Sequence, residues 1–314
     1  MFMPYILLAA SVACVWTASA DTFDVTKYGA DPKGVKKSTD AVHKAIEAAV
    51  SAGGGVVHFP AGHYLCGPIE LRSHVTLDVA DGAVVKFSDD LDDYQPVVEA
   101  MADGSRQTSF ATKGLISASK LTNIGITGAG VLDGQGSAWW KLVDSPYRAE
   151  YLRSMNRTQS ANTDTIANRP KFFIATDCKN IVLKDITFKD SPFFHVNVVD
   201  CDGVTIEGIK LDSPADSPNT DGIDPDSSKN ILISKVTINA GDDCIAIKAG
   251  MDDSKERAPT ENLIIRDSHM GHGHGGVSIG SDFVGGVRNV TVMDCVFDGP
   301  DRGFYIKSAR GRGG

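Results

Sequence analysis

The sequence lacks an excess of positive charge: its 31 basic residues are outnumbered by 40 acidic ones, and the net charge is -9. Broad nucleic-acid binding is therefore excluded, because it needs a basic face that neutralises phosphates. A coiled coil is excluded as well, since 32 glycines and 13 prolines would break any long helix repeatedly. Apolar residues make up 42% of the chain, which is too much for a disordered protein and typical of a globular one.

Long hydrophobic runs are also lacking, since no apolar run of 18 residues follows the N-terminal segment. The apolar stretch from Ile6 to Trp16 has 11 residues, and Ala18-Ser19-Ala20 after it is typical of a signal cleavage site. We interpret residues 1–20 as a signal peptide and expect a mature chain from about Asp21. A membrane anchor or a buried strand is the alternative. The protein is thus expected to be secreted, extracellular or periplasmic, without a membrane partner after cleavage, and monomeric.

The sequence also lacks a set of cysteines that could all pair with one another in disulfides. One of the six lies inside the signal, so the mature chain keeps five, an odd number. An exported protein with a free thiol is held by its core rather than by a disulfide framework. Cys178 and Cys201 fall at equivalent places one repeat apart. That separation permits a disulfide, but a reduced pair in the core fits the sequence equally well.

One amphipathic helix is expected near the N-terminus. Ser38 or Thr39 can cap it, and Gly53-Gly54-Gly55 ends it. Its predicted buried face consists of Val42, Ala45, Ile46, Ala49 and Val50.

Short β-branched runs separated by turn residues fill the rest of the chain, and these runs repeat. The equivalent positions are Ile181, Val204, Ile231, Leu263 and Val290, which are 23 to 32 residues apart. An earlier copy begins at Asn123. Repeats of this length built from strands predict stacked coils with one continuous core.

The predicted fold is therefore all-β: a single-stranded right-handed parallel β-helix (solenoid) over residues 21–314, with the early helix capping its N-terminal end. An antiparallel β-sandwich is the alternative, but it would show turns every 8–12 residues or so and tight hairpin signals, which are scarce here. Coils stack about 4.8 Å apart, so residues one repeat apart become neighbours. A linear array of side chains on the outer face suits a linear polymer.

Acidic residues interrupt the repeat at intervals of about one coil. Asp221 is followed by Asp242 and Asp243, 21 and 22 residues later, and His274 comes one long coil further on. Adjacent side chains of a strand point to opposite faces, so a local bend is needed for Asp242 and Asp243 to face one cleft. Carboxylates that flank a bond, one protonated and one ionised, are what glycoside hydrolysis requires. Cations follow in the next coil and can bind the carboxylate of an acidic sugar; they are Arg302, Lys307, Arg310 and Arg312.

These motifs resemble the polygalacturonases of glycoside hydrolase family 28, in order and roughly in spacing. The motifs are Asn219-Thr220-Asp221, Gly241-Asp242-Asp243, Gly273-His274-Gly275 and Ile306-Lys307, preceded by Gly130-Val131-Leu132-Asp133-Gly134. The resemblance covers nearly the whole mature chain. It implies a pectin-degrading glycosidase that cleaves α-1,4-galacturonosyl linkages of polygalacturonate by an inverting mechanism, with no metal or other cofactor.

The resemblance also implies a role for each matching residue. Asp242 matches the general acid, and Asp221 and Asp243 match the pair that activates water. His274 matches the histidine that supports the acid by hydrogen bonding. Asn219 matches a position that contacts substrate, and Lys307 one that holds the galacturonate carboxylate.

Three features depart from the usual family pattern. Tyr305 stands where the family has an arginine, so Arg302 or Arg310 would have to supply the second half of the carboxylate clamp. Gly276 extends the histidine motif, and Asp224-Pro225-Asp226 follows the first motif. Both are more similar to the exo-acting bacterial and plant branches. The chain ends at Gly314, where family members continue, and we therefore expect the last coils to be absent.

Three other functions remain open from the sequence. His269, His272 and His274 could bind a metal, although Asp282 is the only obvious extra ligand nearby. A lyase on the same fold would cut pectate by β-elimination, usually with calcium. A β-helical module could bind polysaccharide without turnover, but carboxylates in register do not suit a groove for an anionic polymer.

Overall fold

The computed structural model describes residues 21–94, 97–100, 106–109, 114–143, 165–250 and 256–308, together with residues 311 and 313. The predicted signal peptide and Arg310 lie outside the described residues. Within them, no helix is both long enough and apolar enough to span a bilayer.

Short strands account for most of the described chain, and two α-helices are described: α1 (Thr39–Ser51) and α2 (Gly136–Val143). The strands in chain order are β1 (Thr22–Asp24), β2 (Lys33–Lys37), β3 (Gly55–Phe59), β4 (Gly62–Cys66), β5 (Ile69–Glu70), β6 (Val75–Val79), β7 (Ala83–Phe87), β8 (Val97–Ala100), β9 (Arg106–Ser109), β10 (Gly114–Ser119), β11 (Thr122–Thr127), β12 (Val131–Asp133), β13 (Thr165–Asn168), β14 (Lys171–Thr176), β15 (Lys179–Lys184), β16 (Thr187–Lys189), β17 (Val196–Val199), β18 (Asp202–Glu207), β19 (Lys210–Asp212), β20 (Ile223–Asp226), β21 (Lys229–Ser234), β22 (Thr237–Asn239), β23 (Ile245–Ile247), β24 (Thr260–Arg266), β25 (His269–Ile279), β26 (Val287–Met293), β27 (Val296–Phe297) and β28 (Pro300–Ile306).

Most strands stack into three faces of a right-handed parallel β-helix, which confirms the predicted fold, and β8, β9 and β13 form a separate three-stranded sheet. The first face runs β1-β3-β6-β11-β15-β18-β21-β24-β26, and the second runs β2-β4-β7-β12-β16-β19-β22-β25. The third face runs β5-β10-β14-β17-β20-β23 and then reaches the C-terminal half of β25, which pairs with β28. Consecutive strands such as β17, β18 and β19 belong to different faces, so each coil visits all three faces once.

The strand register confirms the repeat read from the sequence. Ile181 pairs with Val204, Val204 with Ile231, Ile231 with Leu263, and Leu263 with Val290. The earlier copy is confirmed as well, because Ile124 pairs with Ile181. A constant register stacks equivalent side chains on one another, and the inward ones form columns that exclude water.

Asparagines stack on the outside at the start of the first-face strands. Asn180 donates its side-chain amide to Asn123, Asn262 to Asn230, and Asn289 to Asn262, at 2.9–3.1 Å. All these asparagines, Asn123, Asn180, Asn230, Asn262 and Asn289, have φ between 56° and 58°. Asparagine tolerates this left-handed conformation better than most residues, so each one both turns the chain and bonds to the next coil.

Helix α1 covers the N-terminal end, as predicted, and buries Ala41, Val42, Ala45, Ile46 and Ala49. One detail of the prediction was wrong, the burial of Val50. Val50 is 39% exposed, because it lies at the edge of the packed face. Ser38 is the N-cap residue but makes no side-chain cap bond, since its hydroxyl accepts a hydrogen bond from the Asp31 amide instead.

Helix α2 is too short for its periodicity to stand out in the sequence. Its Trp139 is buried and meets Tyr94 edge to face at 5.2 Å. All five described cysteines are free thiols. Of the two alternatives for Cys178 and Cys201, the structure shows the reduced pair in the core, with Asp202 after one cysteine donating its backbone amide to the Cys178 carbonyl.

Candidate active site

The predicted site residues lie on the outer side of the third face, where consecutive coils end or begin their strands. Asp221 precedes β20, Asp242 and Asp243 precede β23, and His274 lies within β25. Backbone bonds hold these segments side by side: the Gly222 amide donates to the Asp243 carbonyl, and the His274 amide donates to the Asp242 carbonyl. Residues about one coil apart in the sequence therefore lie side by side in neighbouring coils, as the spacing predicted.

The three carboxylates converge. One oxygen of each of Asp221, Asp242 and Asp243 lies within 4.8 Å of the others. The expected bend is present at residues 241–242, where the Asp243 amide donates to Asp242 Oδ1 at 2.9 Å. Gly241 permits this bend, because a Cβ there would lie 1.9 Å from the Ser217 carbonyl oxygen. Carboxylates at this spacing could share a cation, and the cations beside them here belong to the chain itself.

His274, when protonated, is one of those cations. Its Nδ1 lies 3.3 Å from Asp242 Oδ1, and its side chain is 54% exposed. The hydrogen bond with Asp242, working against burial, raises the pKa of His274. Burial on its own would raise the pKa of Asp242, but the hydrogen bond and charge of His274, with the charge of Lys307, lower that pKa below its ordinary value.

Asp221 has the opposite electrostatic environment. It is only 4% exposed, and Oδ1 of its carboxylate has no hydrogen-bond partner among the described residues. Burial, together with the charges of Asp224 and Asp242, raises the pKa of Asp221 well above its ordinary value. The pKa values of these two neighbouring carboxylates are thus shifted in opposite directions, Asp242 toward the ionised form and Asp221 toward the protonated form.

Lys307 and Tyr305 both bind Asp243. The Lys307 ammonium donates to Oδ2, and the Tyr305 hydroxyl donates to Oδ1 at 2.9 Å. Arg302 lies over the Tyr305 ring at 5.3 Å, at the exposed rim of the site. Tyr305, at the position where the family has an arginine, therefore binds the Asp243 carboxylate of the protein itself. The guanidinium of Arg302 lies close by.

Asn219 links the acid to the neighbouring coil. Its amide nitrogen lies 3.3 Å from Asp242 Oδ2, and its side-chain oxygen accepts from Arg169 at 3.3 Å. Arg169 is buried, lies over the Phe193 ring at 4.9 Å and also donates to the Pro218 carbonyl. No pattern in the sequence indicates a role for Arg169, which lies about two coils before Asn219.

The three histidines do not converge on a metal. His272 Nδ1 lies 2.9 Å from the Ala240 carbonyl oxygen, and His269 Nε2 lies 3.7 Å from Asp298. Among the described residues, the three aspartates are the one group of His, Cys, Asp and Glu side chains close enough to share an ion.

Besides Arg169, the sequence reasoning did not identify Lys248 and Asp224 as site residues. Lys248 Nζ lies 3.3 Å from Asp224 Oδ1 and 4.0 Å from Asp221 Oδ2. Asp224 had been noted only as part of a motif. The coil register was the signal that could have indicated Lys248. This residue directly follows β23 and pairs with Asp226, the last residue of β20.

The fold and the site together define a solenoid of the parallel β-helix class that carries clustered carboxylates, a histidine and lysines. The chain belongs to glycosyl hydrolases family 28, whose match covers residues 58–314. Similar proteins include a probable polygalacturonase of Vitis vinifera, 33% identical, covering 84% of this chain and 52% of the relative. An endo-polygalacturonase of Pectobacterium parmentieri is 32% identical, covering 96% of this chain and 73% of that protein.

The fold is shared with solved structures of the same family. The exopolygalacturonase of Thermotoga maritima superimposes with a TM-score of 0.78 at 29% identity, covering 94% of this chain and 70% of that one. The polygalacturonase of Erwinia carotovora gives 0.73 at 31% identity, covering 93% and 73%. The chain spans about half the length of several of the curated relatives it matches.

Proposed function

We propose that the protein hydrolyses α-1,4-galacturonosyl linkages of polygalacturonate, releases units from a chain end, and acts outside the cell on pectin. The observation that carries the proposal is the convergence of Asp221, Asp242, Asp243, His274 and Lys307 on a family 28 β-helix. The family match favours hydrolysis over β-elimination and over binding without turnover. The likeness to an exopolygalacturonase supports action at chain ends.

Asp242 is the proton donor of this mechanism. Its side chain is 22% exposed, against 6% for Asp221 and 0% for Asp243, so it is the carboxylate that the leaving oxygen can reach. The pair of Asp242 and His274 holds one proton, which rests on His274 in the free protein because the pKa of the histidine is raised and that of the aspartate lowered. The proton moves to Asp242 as the sugar oxygen approaches.

Asp221 and Asp243 activate the water that attacks the anomeric carbon from the opposite side. The bond to the leaving sugar breaks as the new bond to water oxygen forms, so configuration is inverted. Asp221 has to be ionised for this step. Because its pKa is raised, activity falls on the acidic side as Asp221 is protonated, and the acidic limb of the pH profile belongs to Asp221.

Lys307 and Arg302 bind the galacturonate carboxylate, and Asn219 contacts the sugar beside the acid. A carboxylate arriving at Lys307 meets an ammonium already bonded to Asp243, so the sugar and Asp243 share one cation. Tyr305 keeps Asp243 in place during this exchange.

The test is reducing-sugar release from polygalacturonate in the presence of a chelator, with products sized over time. Early release of monomer or dimer alone, as the β-anomer by proton NMR, is the expected result. D221N and D242N are each expected to lose about 10²–10⁴-fold in turnover, the range for a positioned proton-transfer group. A chelator-sensitive product that absorbs in the ultraviolet would show a lyase instead, and unchanged turnover in either variant would overturn its role.

A further inference from the structure

Two charged residues lie beside Asp221, one of the three clustered carboxylates. Asp224 is in β20 and fully buried, and Lys248 follows β23 with a side chain that is 13% exposed. The lysine ammonium lies 3.3 Å from Asp224 and 4.0 Å from Asp221, so it contacts one buried carboxylate directly and approaches the second.

The surroundings fix the position of this ammonium. Its Nζ lies 5.4 Å from the centre of the Phe194 ring, whose face favours a cation. Neither Asp224 oxygen has a partner that meets hydrogen-bond geometry among the described residues, so Lys248 supplies its nearest opposite charge. A buried charge is stable only when paired. Burial, offset by Lys248 and Lys171, raises the pKa of Asp224 to about 7.

We propose that Lys248 is a positioning residue for the hydrolytic reaction: its ammonium, held between Asp224 and Asp221, keeps the Asp221 carboxylate in place and ionised so that Asp221 can activate water. The inference rests on the proposed function, because it assigns Lys248 a part in the same reaction. Lys248 acts through Asp221 and does not touch the substrate.

The charges around Asp221 give the sign of the effect. The titratable groups that face it or act on it are Asp224, Asp242, Asp243, Lys248, Lys171, Cys244 and His195, whose Nδ1 lies 3.1 Å from the Asp221 carbonyl oxygen. Burial and the neighbouring carboxylates raise the pKa of Asp221, and Lys248 is the cation that opposes them. Removing the lysine charge therefore favours protonated Asp221, and removing the Asp224 charge favours the ionised form.

The experiment is the pH dependence of kcat and KM on polygalacturonate for the full chain and four variants. K248M is expected to move the acidic limb of kcat/KM to higher pH by about one unit or more, since an opposite charge within 4–6 Å lowers a carboxyl pKa by 1–3 units. D224N is expected to move the limb to lower pH, and K248M/D224N to return it toward the parent position. K248R is expected to keep the limb in place.

K235M is the matched control. Lys235 is an exposed lysine that donates to Glu207 at 2.9 Å on the first face, and its loss is expected to leave the profile unchanged. Circular dichroism and thermal melting confirm that each variant is folded. If K248M does not fold, the inference is tested by the other two variants. It then requires that D224N moves the acidic limb to lower pH and that K248R leaves the limb in place.

Contrary results separate this inference from the function on which it rests. A parent protein without hydrolysis overturns the proposed function itself. A parent that hydrolyses, with K248M losing turnover equally at every pH, overturns the inference. So does a shift of D224N in the same direction as K248M, or a rise in KM with an unmoved limb, which would place Lys248 on the substrate.

Discussion

At the scale of single residues, the site separates three chemically identical carboxylates by what surrounds them. Asp242 has a histidine, Asp243 has a lysine and a tyrosine, and Asp221 has burial and a more distant lysine. His274 and Lys307 lower the pKa of Asp242, whereas burial raises the pKa of Asp221, so in the proposed mechanism the proton that Asp242 donates is supplied by His274. The division depends on neighbours from three successive coils and on the charges that the carboxylates exert on one another.

His274 is expected to set the alkaline limb of the pH profile. Its raised pKa means that the proton it shares with Asp242 is present below the ordinary histidine value and is lost as pH rises through the raised one. H274Q is therefore expected to lose activity, by about 10²-fold at the pH optimum, the lower end for a positioned proton donor. The measurement is the pH profile of kcat/KM on polygalacturonate.

H272Q is the control for this prediction. His272 lies two residues away in the same strand, and its Nδ1 meets a backbone carbonyl instead of a site carboxylate. Its loss is expected to leave the alkaline limb unmoved. If H274Q kept the parent's limb, or if both variants shifted it alike, the limb would belong to another group.

The acidic residues and His274 could be predicted from the sequence because each breaks a repeat whose length is one coil. Stacking converts that order into proximity without any knowledge of side-chain conformation. The coil register places Lys248 beside Asp226, but the side chains that Lys248 and Arg169 contact could not be predicted this way. Their partners depend on which side chains of adjacent coils are buried together, and a lysine or arginine near a strand is ordinarily a solvated residue.

At the scale of the strand, outer asparagines fix each coil to the next at the corner before the first face. Asn262 both donates to Asn230 and accepts from Asn289, and its backbone is left-handed at φ 57°. Two separate physical requirements meet at this one position: the conformation of the turn and the bonds between coils.

Two substitutions separate these requirements. N262G keeps the conformation and loses the ladder bonds, and it is expected to lower the free energy of unfolding by about 1 kcal/mol, typical of a net hydrogen bond. N262A also forces alanine into the left-handed region and is expected to cost about 1–2 kcal/mol more. Urea unfolding measures both. If N262A were as stable as N262G, the left-handed turn would not be the reason for asparagine.

The strand register was predictable for a related reason: a slip of one residue would turn every buried side chain outward. Helix α1 was predicted by its apolar period, but the exposure of Val50 was not, since the width of the packed face is set by the strands beneath it. Helix α2 has eight residues, which is too few for a period to stand out.

At the scale of the whole molecule, the inward side chains form columns that cross every coil. Leu132, Phe188, Leu211 and Ile238 stack in register on the second face, and each is buried. A column of this kind couples each coil to its neighbours, since a residue removed in one coil leaves a cavity against two others.

L211A tests this coupling. The leucine is fully buried in a central coil, so its truncation is expected to cost about 2–5 kcal/mol, the range for a core leucine. I264A, at a side chain 43% exposed on the first face, is the matched control and is expected to cost under about 1 kcal/mol. Urea unfolding is followed by far-ultraviolet circular dichroism and by tryptophan fluorescence.

The two probes decide whether the coils unfold together. Trp139 follows β12, the second-face strand two coils before Leu211, and is buried against the core, whereas circular dichroism reports all coils at once. If the core is one cooperative unit, L211A lowers both midpoints equally, because the region around Trp139 cannot stay folded once the central coil is lost. A fluorescence midpoint that stayed in place while the dichroism midpoint fell would show that coils two steps apart unfold independently.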